Sequence, residues 1–472
     1  MLREACKAGK VQGLKGFGKK TEETLLAGIA LAERANDRIY WRDADGVVQQ
    51  VLDHLRGADA IKQVQPAGSY RRGRETIGDL DFLVDSTDAA SVMDHLAAYP
   101  DVAEVIARGD TKMSVRLKSD LQVDLRVVPS ESFGAALQYF TGSKEHNVVL
   151  RGMAKQRGLR VNEWGVFRDA GDGEGSEAGG ESGGASPTRG ERVAGATEQD
   201  VYAALGLPWF PPELREARHE FDAAERGGLP ELIEVGALRG DLHMHTTATD
   251  GKATLREMAD AARERGLEYI AITDHSQRVS MAGGLDPARL RQQWRAIDEL
   301  NAELDGLVVL KGIECDILEA GGMDLPDDVL AEADWVIASL HYGQNQPRSQ
   351  IMDRLLGAVE HPSVRIVAHP TGRLINRREA YEVDIDQLIA AAASSGTALE
   401  LNANPMRLDL NDQHCAAAKR AGVPIVISSD AHSTAGLGVL RYGVLQARRA
   451  GLTPGDVANT LPLEEFRKRL GC

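Results

Sequence analysis

Cysteine, aromatic residues and long apolar runs are all scarce in this chain of 472 residues. Its four cysteines lie far apart without a CxxC pair, which excludes a disulfide framework and a thiolate zinc site and predicts free thiols. The Met1 end lacks an apolar stretch long enough for a signal peptide or a membrane span, so we expect a cytoplasmic protein without a membrane partner. The 43% hydrophobic content is typical of globular cores, and the length allows two to four domains.

An excess of positive charge is also absent, because the net charge is -16 at pH 7. That total alone would argue against nucleic acid, which is bound mainly through Lys and Arg. The charge is segregated, however. Residues 1–38 hold eight Lys or Arg against five Asp or Glu, and residues 144–168 hold six against two. Two basic segments beside an acidic remainder predict that phosphates are bound in one place and processed by metal ions in another.

A tract of Gly, Ser and Glu at about 169–195 interrupts the chain. It contains too few apolar residues to offset the entropy of ordering, so we expect a disordered surface loop. Beyond it, Thr197 is expected to cap a short helix that ends at the proline cluster of 208–212. A further boundary is expected near Gly236.

Residues 236–472 repeat short runs rich in Val and Ile, most of which end in a histidine or an acid. Helical patterns separate several of these runs, and alternating strands and helices build a parallel sheet or closed barrel with loops at one rim. Ligands at the strand ends would meet at that rim. The candidate ligands are His243, His245, Asp250, His275, Glu314, His341, His369, Asp430 and His432.

Nine ligands are too many for a single ion. Mixed imidazole and carboxylate ligation suits Mn²⁺, Zn²⁺ or Fe²⁺, and two to three ions would share the set, with Glu314 and Asp250 as candidate bridges. The natural use of such ions is to supply a hydroxide that attacks a phosphodiester or a phosphomonoester. The pattern therefore predicts a metal-dependent phosphoesterase.

A second constellation lies in residues 39–130, where mixed strand and helix patterns predict an α+β unit. Asp79 and Asp81 are two apart on an apparent strand and so point to one face. Asp124 lies on another apolar strand, and antiparallel pairing is expected to bring it beside the pair. Three carboxylates suit Mg²⁺, and two such ions can clamp the attacking and leaving oxygens of a phosphoryl transfer. The alternative is a solvated strand face, against which the buried strand context and the preceding GSYRRG loop argue.

Residues 1–38 predict a helix, a GLKGFG turn and a second helix. Glycines let the backbone N–H groups of such a turn face outward, where they can hold a DNA phosphate without reading base sequence. The alternative is an ordinary glycine-rich helix connection. The candidate DNA contacts of this turn are Gly13, Gly16, Gly18 and Lys19.

The motifs GSYRRG, GDLDFLV, QVDLR, YFTGSKEHN and NEWGVF together resemble the palm and thumb of a family X DNA polymerase, the family of DNA polymerase beta. The region that follows resembles the polymerase and histidinol phosphatase (PHP) domain of the bacterial members, and all nine rim ligands match its metal motifs. By this resemblance we expect that the family's usual first helical domain, which binds a 5′-phosphate, is missing; truncation and loss of that module both stay open. The resemblance implies helix-hairpin-helix fingers at 1–38, a nucleotidyltransferase palm at 39–130, a thumb at 131–225 containing the loop at 169–195, and a distorted β/α barrel at 236–472.

The resemblance also implies roles for single residues in the first constellation. Asp79 and Asp81 would hold Mg²⁺ or Mn²⁺, and Asp124 would help to activate the primer 3′-hydroxyl. Arg151 would approach the template, and Arg126 would pair with a metal-binding aspartate when the site is open. The implied dNTP contacts are Gly68, Ser69, Arg72, Gly78, Tyr139, Phe140, Gly142 and Asn147.

A DNA repair polymerase with a 3′–5′ exonuclease is the function that the resemblance implies, and AP-endonuclease and 3′-phosphatase activities are further candidates. Its partners would be dNTPs and primer-template DNA with gapped or damaged ends, and we expect a nucleoid-associated monomer. Two alternatives stay open. One is a nucleotidyltransferase fused to a small-molecule phosphatase that does not act on DNA, and the other is a DNA-binding scaffold with inactive sites.

Overall fold

The computed structural model describes residues 38–168 and 188–471, together with Cys6, Ala8, Val11 and Gly18. The chain divides into two units, Met1–Ala224 and Glu225–Cys472. Within the two long described stretches, no helix has both the length and the apolar character needed to cross a bilayer.

Parts of the sequence predictions fall on residues that are not described. Gly13, Gly16 and Lys19 of the predicted hairpin lie outside the described residues, and so do positions 169–187 of the predicted loop. The end of that predicted loop differs from expectation, because Arg192–Ala194 is a strand that pairs with the segment Gly165–Arg168.

The first unit contains a five-stranded sheet with the order β2-β4-β7-β6-β5 and a two-stranded ribbon of β1 and β3. Alternate residues of the central strands are buried against the first helix, which gives this half of the unit its core. The elements are β1 (Ile39–Tyr40), α1 (Trp41–Arg56), β2 (Gln63–Pro66), α2 (Gly68–Arg71), β3 (Thr76–Ile77), β4 (Asp79–Asp85), α3 (Ala89–Ala97), β5 (Val102–Arg108), β6 (Lys112–Leu117) and β7 (Gln122–Val128).

Strands β4 and β7 run parallel, with Asp81 opposite Asp124 in the register. The antiparallel pairing expected from the sequence is therefore wrong. Parallel neighbours need a long crossover connection, and the chain between these strands supplies one through α3, β5 and β6. The aspartates still share a face, because the side-chain period of a strand does not depend on its direction.

The rest of the first unit is helical around a three-stranded sheet with the order β10-β9-β8. Thr197 caps the helix after β10 as predicted, because its hydroxyl accepts a hydrogen bond from the Asp200 N–H at 3.1 Å. The elements are α4 (Phe133–Thr141), α5 (Lys144–Gln156), β8 (Leu159–Asn162), β9 (Gly165–Arg168), β10 (Arg192–Ala194), α6 (Glu198–Ala204) and α7 (Glu220–Arg226).

A buried ion cluster joins α2 to α6. Both carboxylate oxygens of Glu198 accept hydrogen bonds from Arg71 at 2.8 Å, and Arg215 donates to the same carboxylate at 2.6 Å. Burial raises the pKa of Glu198, but the hydrogen bonds and charges of Arg71 and Arg215 outweigh it and lower the pKa to about 2. The cluster therefore holds Glu198 ionised at neutral pH.

We expect Glu198→Gln to destabilise the first unit by about 3 kcal/mol or more, because the fully buried Arg215 loses its compensating charge. The pKa of Glu198 is lower in the folded protein than its ordinary value of 4.5, so its contribution is present above about pH 4.5 and is lost as the pH falls towards 2. Urea unfolding measured between pH 3 and pH 7 should show a smaller pH dependence in the variant. The exposed Glu145→Gln on α5 is the control, and an unchanged transition in Glu198→Gln would contradict this account.

The second unit is a seven-stranded parallel barrel in which the strands follow chain order. An isolated bridge between Met244 and Ala431 joins the segments after the first and last strands, which nearly closes the barrel. This confirms the predicted β/α barrel. The strands are β11 (Gly240–Asp241), β12 (Tyr269–Ile272), β13 (Val308–Asp316), β14 (Trp335–Ser339), β15 (Val364–Val367), β16 (Ala398–Asn402) and β17 (Ile425–Ser428).

Helices surround the barrel and close one end of it. One face of the strands packs against Phe466, whose ring centroid lies 5.2 Å from that of Tyr269 and 5.4 Å from that of Trp335. The other face packs against the surrounding helices. The helices are α8 (Leu255–Glu264), α9 (Pro287–Glu303), α10 (Asp327–Leu330), α11 (Arg348–Val359), α12 (Ile385–Ser395), α13 (Asp412–Ala421), α14 (Leu440–Arg449) and α15 (Leu463–Leu470).

Candidate metal centres and nucleotide site

The nine candidate ligands of the second unit meet at the carboxyl ends of six barrel strands. Only β16 contributes none of them. Glu314 on β13 lies at the centre, with its carboxylate oxygens 2.7 to 3.7 Å from imidazole nitrogens of five histidines: His243, His245, His275, His341 and His369. Asp430 approaches His245 at 3.3 Å, and Asp250 approaches His432 at 3.4 Å.

Three overlapping groups of ligand atoms have all members within 4.8 Å of one another. Each pair of groups has one residue in common, and the common residues are His245, His275 and Glu314. Shared ligands are what a compact cluster of two to three ions requires. The groups are His245, Asp250, His275 and His432; His243, His245 and Glu314; and His275, Glu314 and His341.

Unpaired nitrogens at the rim support a metal site. Among the described residues, His243 Nε2 and both ring nitrogens of His245 are buried without a hydrogen-bond partner. A buried polar atom without a partner costs free energy, so such atoms call for an explanation such as an ion. Their convergence with carboxylates fits Mn²⁺, Zn²⁺ or Fe²⁺.

The pKa values of two neighbouring histidines shift in opposite directions, and that of His275 reflects the negative charge of the carboxylates. Burial lowers the pKa of His275, but Glu314 and Asp250 outweigh it and raise the pKa to about 10. Burial and the adjacent His275 lower the pKa of His245 to about 4. The carboxylates thus favour positive charge beside them, as a cation-binding centre should.

Glu400 is the main residue of this centre that the sequence prediction missed. It is fully buried on β16, accepts a hydrogen bond from His243 Nδ1 at 2.7 Å and accepts another from the backbone N–H of His369 at 2.6 Å. Because the first bond occupies His243 Nδ1, the other ring nitrogen, Nε2, faces Glu314. Glu400 therefore orients His243, a candidate metal ligand, and is not itself among the candidate ligands. The sequence feature that could have predicted this role is a charged residue within the otherwise apolar strand Ala398–Asn402.

The three aspartates of the first unit share one face of β4 and β7. Burial, together with the charges of Asp79 and Asp124, raises the pKa of Asp81 to about 7. Burial and Asp124 also raise the pKa of Asp79. The oxygens of these three carboxylates do not form a group in which all ligand atoms lie within 4.8 Å of one another. Their charges nevertheless repel each other, and a divalent cation bound between them would relieve that repulsion. Gln122 donates to both oxygens of Asp124 at 3.1 and 3.0 Å and fixes its direction.

Gly68 lies directly against this carboxylate face. Its φ is +60°, and an added Cβ would lie 2.1 Å from Asp81 Oδ2. Only glycine combines this backbone conformation with so close an approach.

We expect Gly68→Ala to reduce primer extension by about 100-fold, because displacement of a catalytic group by about 1 Å has an effect of that size. The measurement is a single-nucleotide extension assay on purified protein. Gly46→Ala, in α1 with nothing within 4 Å of the added Cβ, is the matched control. Extension by Gly68→Ala within twofold of the unchanged protein would show that the close approach is unimportant.

The remaining candidate nucleotide residues surround α2 and the end of α4. Ser69 lies in α2, and Gly78 lies just before β4, where an added Cβ would be 3.1 Å from Arg38 Nη1. Arg72 donates to the Thr141 carbonyl at 2.6 Å and pairs with Glu216 at 3.2 Å. Arg72, which is predicted to contact the triphosphate, is thus paired with the carboxylate of Glu216 in this structure.

The predicted sugar and base contacts lie along α4 and α5. Tyr139 and Phe140 are half-buried and packed edge to face at 5.2 Å, and Arg126 stacks over Phe140 at 4.3 Å. Gly142 follows α4 with φ +52°. Asn147 is buried and donates to the Tyr139 carbonyl at 2.7 Å, which leaves one amide hydrogen for another partner. Arg151 is exposed on α5.

Comparison with known proteins agrees with this division. Residues 38–136 match the DNA polymerase beta palm, residues 136–216 the DNA polymerase beta thumb and residues 241–404 the PHP domain. The DNA polymerase/3′-5′ exonuclease PolX of Bacillus subtilis (strain 168) is 44% identical over 473 residues, which cover 99% of this chain and 80% of that protein.

The barrel also has separate relatives. A probable phosphatase of Thermoanaerobacter sp. (strain X514) is 30% identical over 231 residues, 47% of this chain and 89% of that protein. A probable phosphatase of Acetivibrio thermocellus is 31% identical over 201 residues, 41% of this chain and 78% of that protein.

Fold and sites together define a metal-dependent nucleotidyltransferase joined to a phosphoesterase barrel. The chain belongs to the bacterial family X DNA polymerases with a C-terminal PHP domain.

Proposed function

We propose that this protein extends DNA primers at its palm and removes nucleotides from DNA 3′ ends at its PHP barrel. The observation that carries the proposal is the presence of two complete ligand sets in one chain. Three aspartates share a face of the palm sheet, and nine candidate ligands converge at the barrel rim. The 44% identity with a polymerase and 3′-5′ exonuclease over nearly the whole chain supports both activities.

At the palm, Asp79 and Asp81 would hold Mg²⁺ or Mn²⁺, which neutralise the charge of the triphosphate. Asp124 would accept the proton of the primer 3′-hydroxyl. The 3′-oxygen then bonds to the α-phosphorus of the dNTP, and pyrophosphate leaves as the bond to its bridging oxygen breaks. Ser69, Arg72 and Gly78 would contact the dNTP, and the hairpin glycines and Arg151 would hold DNA.

At the barrel, two to three Mn²⁺, Zn²⁺ or Fe²⁺ ions would supply a hydroxide at neutral pH and neutralise charge on the phosphate. In the proposed reaction an oxygen from water would bond to phosphorus, the bond from phosphorus to the 3′-oxygen would break, and a proton would pass to that oxygen. The products are a nucleoside 5′-monophosphate and a shortened strand. Glu400 keeps His243 oriented through Nδ1.

The relatives of the barrel favour a second activity. Two probable phosphatases align with 89% and 78% of their own lengths, so the barrel has relatives that are named as phosphatases. We propose that the barrel also removes a 3′-phosphate from DNA, which would prepare a blocked end for the palm. Cleavage at abasic sites is a third reaction within reach of the same hydroxide chemistry.

The test is a primer labelled at its 5′ end, annealed to a template and incubated with Mg²⁺ or Mn²⁺, with and without dNTPs. We expect lengthened products with dNTPs and shortened products without them. Primers ending in a 3′-phosphate and duplexes with an abasic site test the two additional reactions. Failure to bind or alter primer-template, together with hydrolysis of small phosphomonoesters, would contradict the proposal and favour a small-molecule enzyme.

A further inference from the structure

Arg407 lies at the barrel rim, on the turn that follows β16. Its Nε is 3.6 Å from Asp430 Oδ2. The other oxygen of Asp430 faces the cluster, at 3.3 Å from His245 Nε2 and 3.7 Å from His243 Nε2. One carboxylate therefore separates the guanidinium of Arg407 from the centre of the ligand set.

The end of this guanidinium has no partner in the described parts of the chain. Its side chain is only 20% exposed, yet neither Nη1 nor Nη2 donates a hydrogen bond to any described residue. Arg354, in the same barrel, instead gives both terminal nitrogens to backbone carbonyls, those of Tyr342 and Ile317. The two terminal nitrogens of this half-buried cation are therefore available to an anionic ligand from outside the chain.

The surroundings of Arg407 are also basic. The loop 371–380 packs against its turn through a backbone hydrogen bond from Ile375 to Met406 at 2.8 Å. Burial and the charge of Arg407 both lower the pKa of Arg378 on that loop. In a chain of net charge -16, a group of arginines beside a metal centre is an unusual local excess of positive charge. Its members are Arg373, which donates to the Leu408 carbonyl, Arg378 and Arg407.

We propose that Arg407 binds the phosphate that the barrel hydrolyses, through its two free terminal nitrogens. This inference rests on the proposed nuclease function and names a substrate-binding residue for it. A guanidinium whose Nε faces Asp430 presents the planar fork of Nη1 and Nη2 outward, and that fork matches two non-bridging oxygens of a phosphate. The same contact stabilises the negative charge that grows on the phosphate during attack.

The test compares Arg407→Ala and Arg407→Lys with Arg365→Ala. Arg365 is a matched control, because it lies at the amino end of β15, away from the ligand rim. For Arg407→Ala, kcat/KM for degradation of a single-stranded oligonucleotide should fall about 100-fold, and Lys should restore little of it. The inhibition constant of dAMP, a product, should rise at least about tenfold, whereas weak inhibition by deoxyadenosine should not change.

Two further readouts separate phosphate binding from support of Asp430. Metal content by mass spectrometry and primer extension should be unchanged in Arg407→Ala, and added guanidinium ion should restore part of its nuclease rate. Loss of bound metal, or a dAMP inhibition constant within twofold of the unchanged protein, would overturn the proposal.

Failure of the nuclease function can be told apart from failure of this inference. If the unchanged protein extends primers but does not shorten DNA, the proposed nuclease is wrong. Direct calorimetric binding of dAMP in the presence of Mn²⁺ then still tests Arg407. Equal binding by the unchanged protein and Arg407→Ala, or no binding by either, would reject the inference.

Discussion

Asp124→Asn should lower primer extension by about 1,000-fold or more and leave 3′–5′ degradation unchanged. Loss of a positioned base alone has an effect of about 100- to 10,000-fold, and loss of a carboxylate also weakens the divalent cation site. Asparagine has nearly the same shape, and Asp124 is half-buried in a strand whose alternate residues form the core. The fold of the palm should therefore survive, so that the lost activity reports the chemistry.

The measurement is single-turnover incorporation of one dNTP with Mg²⁺, alongside degradation of the same primer without dNTPs. Asp110→Asn is the matched control, since Asp110 is an exposed aspartate of the same sheet unit, between β5 and β6. Near-normal incorporation by Asp124→Asn would remove Asp124 from the proposed mechanism. Simultaneous loss of degradation in a folded variant would show that the two activities are not separate.

Glu314→Gln should have the opposite pattern, with degradation reduced by about 1,000-fold and primer extension within twofold. The carboxylate of Glu314 approaches five histidines and belongs to two of the three ligand groups. An amide keeps the shape but removes the charge that holds a cation, so the bound metal should also be lost. Burial raises the pKa of Glu314, but the surrounding histidines hold it well below its ordinary value, so this carboxylate is ionised at neutral pH.

Metal content by mass spectrometry and nuclease rate with Mn²⁺ are the two measurements. Glu332→Gln is the control, because Glu332 is a glutamate of the same barrel that pairs with Arg291 at the surface. A variant that loses metal but keeps its nuclease rate would place the hydrolytic site elsewhere. Full metal content with full activity would show that Glu314 is not a ligand.

Local sequence patterns determined which side chains share a face and which follow a strand. The spacing of Asp79 and Asp81, and the histidines after short apolar runs, depend only on the periods of a strand and on alternation of strands with helices. The barrel and the cap of α6 at Thr197 were therefore predictable from sequence.

Contacts between distant segments were decided only by the tertiary structure. The direction of β7 beside β4, the support of His243 by Glu400, the carboxylate of Glu216 on Arg72 and the free fork of Arg407 all depend on elements far apart in sequence. The sequence around a residue does not indicate which distant residue it will contact, because the packing of the whole sheet determines which strand ends meet. The sequence by itself therefore defined the chemical groups of this polymerase and its barrel, while the folded chain decided which of them act together.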